Sequence, residues 1–196
     1  MTSPEMDRLR AASNVLMLST SLRSDADDLH RDLFGHQTLD SENVLLLTFG
    51  RADHLVEELR TEYDGEPNDI SVIQIDETLQ DSTSYPSDVT VRTVSPTDLT
   101  GVGMAVSDVI KRWSDDDAGI VVCFDSLTDF LQYADRSTMY RFLRVVTRRF
   151  DAVDGFAHFH MNPDAHDRQT IATLKSPFDA VVDASDESDV SVSTKY

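Results

Sequence analysis

Nearly from one end of the chain to the other, short continuous apolar runs alternate with stretches in which apolar residues recur every three or four positions. The runs have strand length and the recurring stretches have helical spacing, so the pattern predicts βαβ units. Strands are expected at Asn14–Ser19, Asn43–Phe49, Ile70–Ile75, Val89–Val94, Ile120–Phe124, Phe156–Met161 and Phe178–Ala184. Helices are expected between them. Ser24 is placed to cap one that opens with Asp27 three residues on, runs through Phe34 and closes at Gly35. Leu55, Val56 and Leu59 mark a second. Pro96, in the first turn behind an N-cap at Ser95 or Thr97, opens a third that reaches Trp113 and ends in Ser114–Asp117 and Gly119. A short helix over 127–133 and a longer one over 137–153 follow, the latter with Met139, Phe142, Leu143, Val146 and Phe150 on one face. A further helix is expected over 164–174.

Strands whose side chains are apolar at every position are buried on both faces. The alternation therefore predicts an α/β fold with a mostly parallel sheet and helices on both faces. Polar residues 76–88, with Pro86, read as a loop, and the tail 186–196 adds an antiparallel edge strand through Val190 and Val192. With 196 residues and no evident linker, the chain suits one domain, its core spanning about 13–184.

Composition narrows the setting. Of 36 acidic residues 28 are Asp, and of 17 basic residues only 3 are Lys, for a net charge of −19. An Asp-rich, Lys-poor surface fits a protein that works in molar salt, where the Debye length is about 3 Å and neighbouring charges no longer repel. The amino-terminal residues have no apolar segment of signal type, and no run approaches the roughly 20 apolar residues of a membrane span. The reading is a cytoplasmic protein without membrane contact. Cys123 is the only cysteine, which excludes an intrachain disulfide and makes it a small core hydrophobe.

The run Ile120–Phe124 ends abruptly on Asp125, Ser126 and Leu127. Open α/β sheets put their chemistry at the carboxyl ends of such strands. Together with Ser95–Thr100, Asn162–Asp167 and Phe178–Val182, in this order and spacing, the segment resembles the RecA/KaiC-like branch of the P-loop ATPases. It is similar in particular to the short, degenerate domains of haloarchaeal signalling proteins of the HTR-like type. The resemblance implies a three-layer RecA-like sheet and a nucleotide site built from the slot Ser19–Asp25 together with Asp125 and Ser126. Within it Asp125 would hold Mg²⁺, and Thr20, Arg23 and Ser24 would line the phosphates.

The working parts of that site are missing. Family ATPases carry a glycine-rich loop ending in Lys and Ser or Thr, because close backbone approach to phosphate needs glycine and its charge needs lysine. The slot here has neither, and Asp25, Asp27 and Asp28 crowd the helix start that would face the phosphates. Each carboxylate there stabilises an empty helix by about 0.3–1 kcal/mol at low salt and repels a triphosphate. The catalytic Glu expected after the second strand is also lacking, since Thr48–Arg51 contains no carboxylate. Losing both cradle and base makes the chain a pseudo-ATPase.

Two other constellations stand out. His158 and His160 share a face of one strand, and His166 follows among Asp164 and Asp167. Histidines of a buried strand hydrogen-bond backbone or Asp125 in preference to holding a metal, and no metal is expected. Arg136, Arg141, Arg144, Arg148 and Arg149 fall within fourteen residues, with 141, 144 and 148 on one face of the predicted helix. That row either pairs with the protein's own aspartates or binds an acidic partner, a second copy or nucleic acid. Nucleic acid is disfavoured because counterion-release binding collapses in molar salt. The expected function is a non-catalytic regulatory or signal-transduction module acting through protein–protein binding, with no cofactor. The alternative is a nucleotide-binding ATPase that uses ATP and Mg²⁺ with Arg23 in place of lysine.

Overall fold

A computed structural model describes residues 9, 11–20, 39, 41–49, 52–62, 65–78, 85–115, 117–186 and 189–195. The chain divides into two compact units, residues 28–125 and residues 1–27 with 126–196. The fold is α/β, and the eight strands among the described residues are mostly parallel.

In the unit 28–125, β2 (Asn43–Phe49) lies between β3 (Asp69–Ile75) and β5 (Ile120–Asp125), and β4 (Val89–Val94) pairs with β3, all in parallel. The other unit holds β1 (Asn14–Ser19) between β6 (Phe156–Met161) and β7 (Ala180–Asp186), both parallel to it. There β8 (Asp189–Thr194) runs antiparallel to β7, as the alternation of the tail predicts. Val44–Leu47, Val121–Phe124 and Val15–Leu18 are buried at every position. Successive strand residues point to opposite faces, so each of these strands is covered above and below and the layers number three. Fully burying each such side chain stabilises the fold by about 1.5–3 kcal/mol.

Three of the longer helices begin where an aspartate caps them. Helix α1 (Ala52–Glu62) packs on β2 and α2 (Leu99–Trp113) on β3 and β4. The start of α2 corrects the sequence expectation. Ser95, Pro96 and Thr97 form a turn closed by the Asp98 N–H donating to the Ser95 carbonyl at 3.0 Å, and Asp98 caps the helix by accepting the Gly101 N–H at 2.8 Å. Neither Ser95 nor Thr97 is the cap; the carboxylate nearest the apolar run prevails because its oxygen reaches the third amide of the helix. At the other end of α2, the buried Trp113 donates its indole N–H to Asp69 at 2.7 Å, and Arg112 donates to the same carboxylate and to Ser71.

In the second unit α3 (Leu127–Phe130) is one turn shorter than expected, since residues 131–133 continue as turns. Helix α4 (Arg136–Asp151), capped by Asp135, buries Met139, Phe142, Leu143, Val146 and Phe150 as the spacing predicts. It packs on β1 and β6. The Asn14 amide ties β1 to α4 by donating to the Thr147 carbonyl at 3.2 Å. The helix expected over 164–174 is two pieces, a 3₁₀ turn at Pro163–Ala165 and α5 (Arg168–Lys175). His166 and Asp167 between them are extended, because Asn162 caps the turn and Asp167 caps α5, accepting the Thr170 N–H at 2.6 Å. Strand β7 starts at Ala180 and not at Phe178, whose N–H is committed to a turn with the Lys175 carbonyl. The helix expected over 24–34 and part of the loop 76–88 lie outside the described residues.

Candidate functional site

Of the residues assigned to a degenerate nucleotide site, Arg23 and Ser24 lie outside the described residues. Thr20 follows β1 and is half-buried. Asp125 closes β5 in register with Thr48 of β2 and is also half-buried, so a carboxylate does stand at the carboxyl end of that strand. Ser126 is occupied with its own helix. Extended at φ −135°, it caps α3, accepting the Asp129 N–H at 3.3 Å and donating its hydroxyl to the Asp129 carboxylate at 2.6 Å. The hydroxyl is thus engaged as an N-cap, which gives Ser126 a structural task. Beyond β2, where an ATPase would place its base, Thr48 turns its hydroxyl to the Phe49 carbonyl at 3.1 Å.

The connection after β6 contains a contact that the sequence did not announce. Thr128 Oγ1 accepts the Asn162 N–H at 2.9 Å and lies 3.2 Å from His166 Nε2. The Thr128 hydroxyl can both accept the amide and share a hydrogen bond with the imidazole, the direction of the latter following the His166 tautomer. Burial pushes the His166 pKa down, against the opposing pull of the Asp167 charge, which suits a neutral ring. His166 thus ties the start of α3 to the β6–α5 connection. His158 and His160 lie on one face of β6 as the alternation requires, their rings edge-on with centroids 5.2 Å apart. His158 is fully buried.

Along α4 the surface row is continuous. Arg141, Arg144 and Arg148 are exposed, as is Val145 at 49%, and at spacings of three and four these four share the face opposite the buried stripe. Arg141 donates to Thr138 Oγ1 at 3.2 Å, and the Arg144 guanidinium stands 6.0 Å from the Tyr140 ring centroid. Among the described residues none of the three arginines forms an ion pair. Arg60, Arg92 and Arg112 in the other unit pair with Asp88, Asp108 and Asp69. Sequence spacing found the arginine row. It did not single out Val145, because an isolated valine at an outward position looks like any other surface residue.

The fold by itself defines the class, an α/β protein with a mostly parallel sheet. The chain belongs to the family described as "Family of unknown function (DUF7504)", which matches residues 12–184. Comparison with curated proteins gave no match. Among solved structures it is similar to the Pyrococcus horikoshii OT3 protein PH0250, with a TM-score of 0.60 and 11% identity over 98% of this chain and 91% of that one. It is also similar to the uncharacterised Pyrococcus horikoshii protein PH0321, solved in complex with an unknown peptide. That match has a TM-score of 0.57 and 12% identity over 93% of this chain and 83% of the other. Among the described residues no helix is long and apolar enough to cross a membrane.

Proposed function

We propose that this protein is a non-catalytic regulatory or signal-transduction module of RecA/KaiC-like type that acts by binding an acidic protein partner through α4. The observation that carries the reading is the exposed row Arg141, Arg144 and Arg148, which has no ion pair among the described residues of a chain with 36 acidic side chains. A cation row left unmatched amid so many carboxylates is open to carboxylates from another molecule. Val145 gives the row an apolar centre, and arginine is among the residues in which anchoring patches are enriched. The engagement of Ser126 in a helix cap, and the absence of glycine and lysine from residues 19–25, both speak for a module without ATP or Mg²⁺. The Asp-rich surface suits a halophilic cytoplasm, where only short bidentate Arg–carboxylate contacts survive screening.

The test has two arms. Changing Arg141, Arg144 and Arg148 together to Gln should weaken binding of the partner recovered from high-salt lysate by about 100-fold or more, at about 1.5–3 kcal/mol per charged hydrogen bond, with folding intact. Retained affinity would reject the α4 surface. Calorimetry with Mg-ATP in molar KCl should give no binding heat. Micromolar affinity abolished by Asp125→Ala would replace this reading with a nucleotide-binding one.

A further inference from the structure

We propose that β8 is a dimerisation edge, pairing antiparallel with β8 of a second copy of this chain about a two-fold axis at Val192. This surface lies on a different element from α4 and stands independently of the function proposed for that helix.

The backbone sets the register. The β7–β8 pairing matches Ala180 with Thr194 and Val182 with Val192, and beyond it the Lys195 N–H donates to the Asp179 carbonyl at 2.9 Å. Along a strand, residues alternate in the side to which they turn their N–H and C=O. Since Lys195 turns toward β7, so do Ser193 and Ser191, and the amides of Val192 and Val190 face the other way. The far side of β1 gives the same phase. The Ala157 N–H donates to the Ser13 carbonyl, which directs the odd residues of β1 to β6 and the even ones to β7. The even residues of β7 then face β1, leaving its odd residues to face β8. Among the described residues no strand pairs with the outer side of β8.

An open edge of this kind is ordinarily blunted by charge, proline or a covering element. Residues 190–194 read Val-Ser-Val-Ser-Thr, with neither charge nor proline, and Val190 is 37% exposed. By contrast, β4 carries Arg92 at an exposed position, held by Asp108 at 2.7 Å.

The sequence of the edge selects its partner. A two-fold axis must pass through a residue that meets itself, and an outward-facing residue there exchanges both of its backbone hydrogen bonds with its mate. Centring on Val192 sets valine on valine and Ser191 on Ser193. It also brings position 189, an aspartate, opposite position 195, a lysine, twice in the dimer. Lysine is scarce in this chain, with 3 in 196 residues, so a register that meets one with an aspartate is charge-complementary where most of the surface is repulsive.

In molar KCl, light scattering behind a sizing column should give twice the 21.9 kDa chain mass at micromolar concentration. Val192→Pro removes an N–H that faces outward, and proline is tolerated at such edge positions, so the variant should be monomeric with unchanged circular dichroism. Lys195→Asp places like charges opposite each other and should weaken the dimer about tenfold. Combining it with Asp189→Lys should restore the dimer. A monomeric wild type at about 100 μM overturns the proposal, as does a Val192→Pro variant that stays dimeric. A charge swap that fails to rescue overturns the Val192 register.

Discussion

Arginine is spent in two ways in this molecule. In the unit 28–125 each described arginine holds an aspartate of its own chain: Arg60 on Asp88 at 2.5 Å, Arg92 on Asp108 at 2.7 Å and Arg112 on Asp69 at 2.9 Å. On α4 three exposed arginines in a row hold none among the described residues. Acidic residues are plentiful in both units, so composition does not explain the contrast. What differs is placement. Arg112 belongs to a cluster built around a buried indole, whereas the α4 row sits back to back with a largely apolar buried stripe and faces outward.

The sharpest test of the first half of that contrast is Asp69→Ala. It removes the Arg112 ion pair and strands the buried Trp113 N–H, and should cost about 2–3 kcal/mol by denaturant unfolding. A loss below about 0.5 kcal/mol would show that the matched arginines stabilise nothing. Next, Arg112→Gln should cost about 1 kcal/mol and Arg92→Gln less, because the Arg92–Asp108 pair is open to solvent on both sides. The Arg92 effect should shrink further as KCl rises. Smallest of all on stability, the triple Gln variant of Arg141, Arg144 and Arg148 should move unfolding by less than about 0.5 kcal/mol. A larger loss would make the row structural and erase the contrast.

Acid tests the carboxylates that serve the fold alone. The pKa of Asp135 and that of Asp167 are held below the ordinary aspartate value of 3.8, chiefly by the backbone N–H groups of Thr138 and Thr170. A carboxylate whose folded pKa is depressed contributes its stability above the unfolded value and loses it as pH falls through the folded one. Tm should therefore drop below about pH 4, and Asp135→Asn, which keeps the cap without the titration, should flatten the drop.

Strands were the most legible part of the fold. Asn14–Ser19, Asn43–Phe49 and Phe156–Met161 form as expected, because runs buried on both faces end sharply at polar residues, and Val89–Val94 also forms as expected although only its end valines are buried. Helix starts were less legible where several caps compete, as at Ser95, Thr97 and Asp98, or where a single caps pair such as Asn162 and Asp167 splits a continuous helical pattern. At the candidate surfaces, the arginine row and the edge strand could be seen in periodicity. The Thr128–His166 contact could not, since its partners are 38 positions apart and neither residue type is unusual where it stands.

The aspartate caps bear on any attempt to redesign the chain for dilute buffer. Asp98, Asp135 and Asp167 each reach an amide three residues along their own helix at 2.6–2.8 Å. Glutamate is a poor substitute in that position, because its extra methylene carries the oxygens past the amide. Some of the preponderance of 28 aspartates over 8 glutamates is therefore written by helix geometry. A version with its acidity trimmed for low salt should keep these three as they are or convert them to asparagine, and take its neutral residues from carboxylates that hold no amide.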